Sequence, residues 1–190
     1  MRNVQAFGQF IDHYQHERNG AMVDRAHAVL LYGTILSSKP KTILELGIGT
    51  GLLTITIAFG IRYNEVGTQD AVDNFVDWEG ERPSHITQLE ELGVNVITQG
   101  EKEFVEDCTK TYDMIVVDGD HAEGQDWAEK IFNMVNPGGV LFSHDVRLFP
   151  KLCAYMDLAE LKGWGYRVFD ENTLREERCE RGWFVAHRPY

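Results

Sequence analysis

The stretch ILELGIGTGLLTITIA, residues 43–58, constrains the fold more than any other part of the chain. An apolar run closes on Glu45, glycines follow at 47, 49 and 51, and apolar residues at helical spacing then take over. A strand, a loop stripped of side chains and a helix, in that order, make up half of a βαβ unit. Glycine accepts left-handed backbone and close approach, but it weakens helices and strands. Gly47, Gly49 and Gly51 therefore point to a loop that brings bare backbone against a ligand. Two common phosphate loops fail on named residues. The dinucleotide fingerprint GxGxxG needs a glycine where Leu52 stands, and no GK[ST] opens the helix as a nucleoside-triphosphate loop requires.

Apolar periodicity predicts helices over residues 22–37, 51–61, 84–92, 102–107, 122–135 and 150–162. It predicts strands over 42–46, 65–72, 94–98, 112–117, 140–143, 164–169 and 182–187. The turn Asn136-Pro137-Gly138-Gly139 separates the fifth helix from the fifth strand. Strands alternating with helices imply a parallel sheet covered on both faces. The last two strands have no full helix between them, so one of them is expected to be antiparallel near the sheet edge. The fold class is thus α/β, a single Rossmann-like doubly wound sheet. One domain is expected over 1–190, with accessory helices in 1–38 and the ligand-binding sheet and closing strand pair in 39–190. Ligand loops are then expected at the carboxyl ends of the strands.

A net charge of −12 argues against a nucleic-acid partner, because phosphate binding needs clustered Lys and Arg. Cys108, Cys153 and Cys179 form no CxxC pair, which suggests neither a disulfide framework nor a zinc site and fits a reducing, cytoplasmic setting. No run approaches the length of a membrane span, and residues 1–20 lack the apolar core of a signal peptide. The expected partner is a small-molecule substrate, and a homo-oligomer is compatible with the sequence.

Glu45 at a strand end would repel a pyrophosphate but attract an ammonium, directly or through water. The segment ELGIGTG after an apolar strand resembles motif I of class I methyltransferases, which use S-adenosylmethionine. A ribose needs an acidic acceptor at the end of the next strand. Asp70 and Asp73 in VGTQDAVDNF both qualify, with Asp70 slightly preferred. After the third strand, Gln99, Gly100 and Glu101 stand where such a fold lines an adenine.

VVDGDHAEG, residues 116–124, and LFSHDV, residues 141–146, end adjacent strands and gather Asp118, Asp120, His121, His144 and Asp145. Acidic residues and histidines at neighbouring strand ends suit a divalent cation. Residues 112–146 resemble small-molecule O-methyltransferases of the catechol and caffeoyl-CoA type and their antibiotic- and sugar-tailoring relatives. That resemblance implies a divalent cation, Mg or Mn, held by Asp118, His144 and Asp145. It also implies that Asp118 and Asp120 face the cofactor, that Met22 and Val23 approach it, and that His121 is the general base where the catechol type has a lysine. His144 stands where the group carries a carboxylate, and imidazole is a poor ligand for Mg²⁺. Trp127, Trp164 and Trp183 are read as packing residues, and His13 and His16 as solvated. The alternatives are a non-catalytic binder of S-adenosylmethionine or a related nucleoside, and an NAD-dependent reductase, which Leu52 disfavours.

Overall fold

The computed structural model describes residues 25–76, 85–119, 126–144, 151–170 and 182–190. In chain order they form α1 (Arg25–Ser38), β1 (Thr42–Leu46), α2 (Leu52–Asn64), β2 (Thr68–Asp73) and α3 (His85–Glu91). β3 (Asn95–Thr98), α4 (Glu101–Asp107), β4 (Tyr112–Val117), α5 (Ala128–Met134) and β5 (Val135–Ser143) follow. α6 (Lys151–Leu161), β6 (Gly165–Asp170) and β7 (Gly182–His187) close the chain. One sheet carries all these strands in the order β3-β2-β1-β4-β5-β7-β6. β1 to β5 pair in parallel, and β7 runs antiparallel to both neighbours. The single antiparallel strand expected from the closing pair therefore lies one place in from the edge.

Alternation along the strands sets the two faces. Leu44, Leu46, Ile115, Val117 and Leu141 pack with Ile131 and Phe132 of α5 and Tyr155 and Ala159 of α6. Ile43, Met114, Val116, Val140 and Phe142 pack on the other face with Ala28, Leu31 and Ile35 of α1 and Leu53 and Ile57 of α2. Each fully buried aliphatic or aromatic side chain contributes about 1.5–3 kcal/mol, so a one-residue slip of any central strand would forfeit its whole set.

Two strand starts differ from the periodicity by three residues or more. β2 begins at Thr68 because Glu65 and Gly67 take positive φ (56° and 115°), which turns the chain before the strand. β5 begins at Val135, directly after α5, rather than at Val140. Val135 pairs with Tyr112, and the ladder resumes at Met114–Val140, so Asn136–Gly139 bulge out of a continuous strand. Asp113 fastens this end of the sheet. It accepts hydrogen bonds from the Lys41 and Thr42 amides (2.8 and 3.2 Å) and from the Asn136 side chain (2.8 Å). The chain order reverses between β1 and β4, and the crevice outside their carboxyl ends is where an open α/β sheet takes a ligand.

Candidate active site

The glycine loop leaves β1 at that crevice. Gly47, Gly49 and Gly51 all take positive φ (89°, 49° and 85°). A Cβ at Gly47 would collide with the Gly119 backbone, so the β1 and β4 loops are packed main chain to main chain. A Cβ at Gly49 would meet nothing within 4 Å, which leaves that backbone open above the crevice. Gly51 ends the loop, its amide bonding the Ile48 carbonyl (2.8 Å) before α2 begins.

One carboxylate holds the loop, and a second ties the end of β1 to α2 and β2. Asp73, the last residue of β2, accepts hydrogen bonds from the Ile48 and Gly49 amides through Oδ2 (2.9 and 3.0 Å) and from the Phe75 amide through Oδ1 (2.6 Å). Glu45 is fully buried beneath the loop. Its Oε1 accepts from Thr54 Oγ1 and its Oε2 from Gln69 Nε2, both at 2.9 Å. Burial pushes the Glu45 carboxyl well above the ordinary glutamate range, against the opposing hydrogen bond of Thr54. Asp118 pushes it up further, Gln69 opposes, and Asp73 adds to the rise.

The structure separates the two ribose candidates. Asp70 lies inside β2, on the opposite face from Asp73, level with Leu44 of β1. Its carboxylate is taken by Asn95 (2.7 Å), by the Tyr112 hydroxyl (2.9 Å) at the start of β4, and by Lys110 (3.4 Å). Asp73 alone of the pair stands at the strand end beside the glycines. Strand parity places an even and an odd residue on opposite faces, and the pairing of Asp73 with Thr98 of β3 makes Asp73 the terminal one.

Gly100 caps α4, and the Glu101 carboxylate of its first turn lies where a Cβ on Gly119 would be. Gly119 is thus confined between Gly47 and Glu101, a packing role the sequence did not single out. Asp118 follows β4, its amide bonded to the Leu46 carbonyl (2.8 Å). His144 follows β5, its amide bonded to the Val117 carbonyl (2.8 Å). The register Val117–Ser143 sets their side chains opposite each other, and His144 Nδ1 meets Asp118 Oδ1 at 2.6 Å. The His144 side chain is 1% exposed and that of Asp118 16%, so the acid borders the crevice and the imidazole lies behind it. His27 of α1 packs edge-on against the His144 ring (centroids 4.8 Å apart), and Trp183 of β7 lies against both rings at 5.0 Å. Trp183 is buried, as are Trp127 and Trp164.

Asp120, His121 and Asp145 lie outside the described residues, as do Met22, Val23, His13, His16 and Cys179. Among the described residues no three His, Cys, Asp or Glu side chains gather as a metal set. The direct Asp118–His144 contact does not fit a cation between them, because ligands of one ion each keep their own lone pair for it. Thr54, Gln69, His27 and Trp183 also belong to this neighbourhood. Their pairings join helices and strands far apart in the chain, so no local pattern announces them.

A family profile described as a methyltransferase domain matches residues 44–146, from the middle of β1 to just past β5. The chain belongs to this methyltransferase family. Its fold is that of class I S-adenosylmethionine-dependent methyltransferases. The O-methyltransferase TomG of Streptomyces achromogenes, involved in tomaymycin synthesis and solved with S-adenosylmethionine, is 14% identical. It superposes with a TM-score of 0.65 over 100% of this chain and 91% of its own. A methyltransferase from Geobacter sulfurreducens is 18% identical, with a TM-score of 0.67 over 100% of this chain and 89% of its own. The O-methyltransferase from Bacillus cereus, solved with SAH, is 14% identical, with a TM-score of 0.61 over 99% and 91%. No curated protein matches the chain in sequence. Among the described residues no helix is long and apolar enough to cross a membrane.

Proposed function

We propose that this methyltransferase transfers the methyl group of S-adenosylmethionine to a hydroxyl oxygen of a small molecule. The observation that carries the reading is the open backbone at Gly49, flanked by the Asp73 carboxylate at the end of β2. An adenosine can lie against that backbone with its ribose hydroxyls toward Asp73. Gly100 and Glu101 would border the adenine, and Asp118 and Asp120 the methionine end. Buried Glu45 braces the end of β1 at this crevice, tied to α2 through Thr54 and to β2 through Gln69. The residues present thus fit the cofactor. Leu52 fills the third-glycine position of the dinucleotide motif and is 2% exposed, so a pyrophosphate has no bare helix start to approach. The O-methyltransferases among the structural neighbours support oxygen as the acceptor.

When bound, the cofactor supplies a methyl group already activated on a sulfonium. The protein's task is alignment and proton removal. The strand ends of β4 and β5 would hold the acceptor hydroxyl in line with the methyl carbon, at about 3 Å. His121 would take the proton that the acceptor hydroxyl gives up. No step here runs through a divalent cation.

Calorimetric titration with S-adenosylmethionine and, separately, NAD tests the first half. Binding of the former alone is expected, and binding of NAD alone would overturn the reading. Methyl transfer from labelled cofactor to a panel of catechols, phenols and sugars tests the second. Tight cofactor binding without transfer to any oxygen would favour the non-catalytic binder.

A further inference from the structure

We propose that His144 takes the place that a divalent cation would fill: it fixes Asp118 by a direct hydrogen bond, and no cation bridges β4 and β5. The proposal rests on the functional reading only for the location of Asp118 at the cofactor crevice.

The backbone imposes the contact. Asp118 and His144 leave neighbouring parallel strands at the same level, each tied by its amide to the adjoining strand. Two carboxylates at these positions would face each other as like charges, and a cation between them would relieve the repulsion. An imidazole removes the need, because it brings a donor of its own. At 2.6 Å the Nδ1–Oδ1 contact is a short hydrogen bond, slightly below the range of about 2.7–2.9 Å usual for a charge-assisted N–H···O pair. A carboxylate only accepts, so the shared proton belongs to Nδ1, and a protonated nitrogen has no lone pair for a metal. An ion bound by both atoms would sit about 2.0–2.2 Å from each, with no proton between them.

The ring cannot turn to offer its other nitrogen to the crevice. His27 closes one side edge-on and Trp183 lies against another, and Nε2 is buried. Both neighbours come from elements outside the glycine-loop half of the sheet: α1 and β7. The ring is therefore set by packing, and the bond to Asp118 follows from where the ring is held. His144 is a positioning residue. It touches Asp118, which borders the crevice, and leaves one oxygen of that carboxylate free of this bond.

The test uses the full chain, stripped with EDTA and then titrated with Mn²⁺. Heat of binding and paramagnetic broadening of the histidine ring signals are followed together. The expected result is no stoichiometric Mn²⁺ site, sharp His144 signals, and ¹⁵N shifts that place the proton on Nδ1. His144→Asp is expected to gain Mn²⁺ affinity by about tenfold or more, the size of effect that groups around a metal site exert. Stoichiometric Mn²⁺ binding to the unaltered chain that broadens His144 first and disappears in Asp118→Asn would overturn the proposal. So would a folded His144→Asp that gains no affinity. Should that variant fail to fold, the spectra of the unaltered chain decide alone. S-adenosylmethionine is titrated into the same samples. Failure of the cofactor to bind would remove the functional reading and leave the Mn²⁺ result standing.

Discussion

Replacing Glu45 by glutamine should make the protein less sensitive to alkaline pH. Glu45 is fully buried, its oxygens accept from Thr54 and Gln69, and its carboxyl is pushed well upward by burial first and by Asp118 and Asp73 in addition. The folded pKa thus exceeds the unfolded one. The stability that Glu45 contributes is fully present below the unfolded pKa and is lost as pH rises through the folded pKa. Between the two, the native chain keeps one proton that the unfolded chain releases. Stability therefore falls by about 1.4 kcal/mol per pH unit. For a domain of this size that is about 3–6 °C in Tm per unit.

Glutamine at 45 removes the slope and suits the site. The Gln69 carbonyl oxygen is buried with no hydrogen-bond partner. With the Gln69 amide adjusted, the new side chain's NH₂ can donate to that oxygen while its carbonyl still accepts from Thr54. Thermal unfolding of both proteins between pH 5 and 8 checks this, since other titrating groups cancel in the difference. The Tm curves should converge toward acid and separate toward base, with Glu45→Gln the more stable at pH 8. Parallel curves would refute the argument, because a solvated or already ionised Glu45 retains no extra proton.

Gly47→Ala should cost about 1–3 kcal/mol, because φ is 89° there and the new methyl meets the Gly119 backbone; urea unfolding reads the loss. Asp73→Ala strips three amides of their shared acceptor and should cost about 2–3 kcal/mol while reducing cofactor affinity, whereas Asp70→Ala should leave that affinity unchanged; calorimetry separates the two. Asp113 is pushed up by burial, but hydrogen bonds from Asn136 and from the Lys41 and Thr42 amides, with the Lys41 charge, outweigh this and hold it below the ordinary aspartate range. Its stabilisation is present above the unfolded pKa and lost as pH falls through the folded one. Asp113→Ala should therefore unfold about 1–2 kcal/mol more easily at pH 7 and differ less from the unaltered chain in acid titrations followed by circular dichroism.

What the sequence could and could not tell follows from the range of each interaction. β1, β4 and β7 were legible to the residue because alternation and flanking turns are local. The antiparallel strand was legible because a connection without a full helix cannot cross over in parallel. The start of β5 was hidden, since Asn136-Pro137-Gly138-Gly139 reads equally as a turn between elements and as a bulge within one. Only the pairing of Val135 with Tyr112 distinguishes them. The slight preference for Asp70 over Asp73 had no firmer basis, for the same reason. Either can end a strand in VGTQDAVDNF, and the choice depends on where β2 meets β1.

His144 shows the limit most sharply. Its place at the end of β5 was legible, and its neighbour across the sheet, Asp118, was named with it. The inference that both serve one cation came from residue type and from the resemblance to the O-methyltransferases. Carboxylate and imidazole at adjacent strand ends suit a shared ion at a separation of about 3 Å, or each other at 2.6 Å. The difference is a few tenths of an ångström, set by His27 and Trp183 closing on the ring from α1 and β7. No spacing along the chain encodes that closure. It is decided by the packing of the face that α1 shares with the sheet, and a cavity opened there, as by His27→Ala, is where the Asp118–His144 distance should first begin to change.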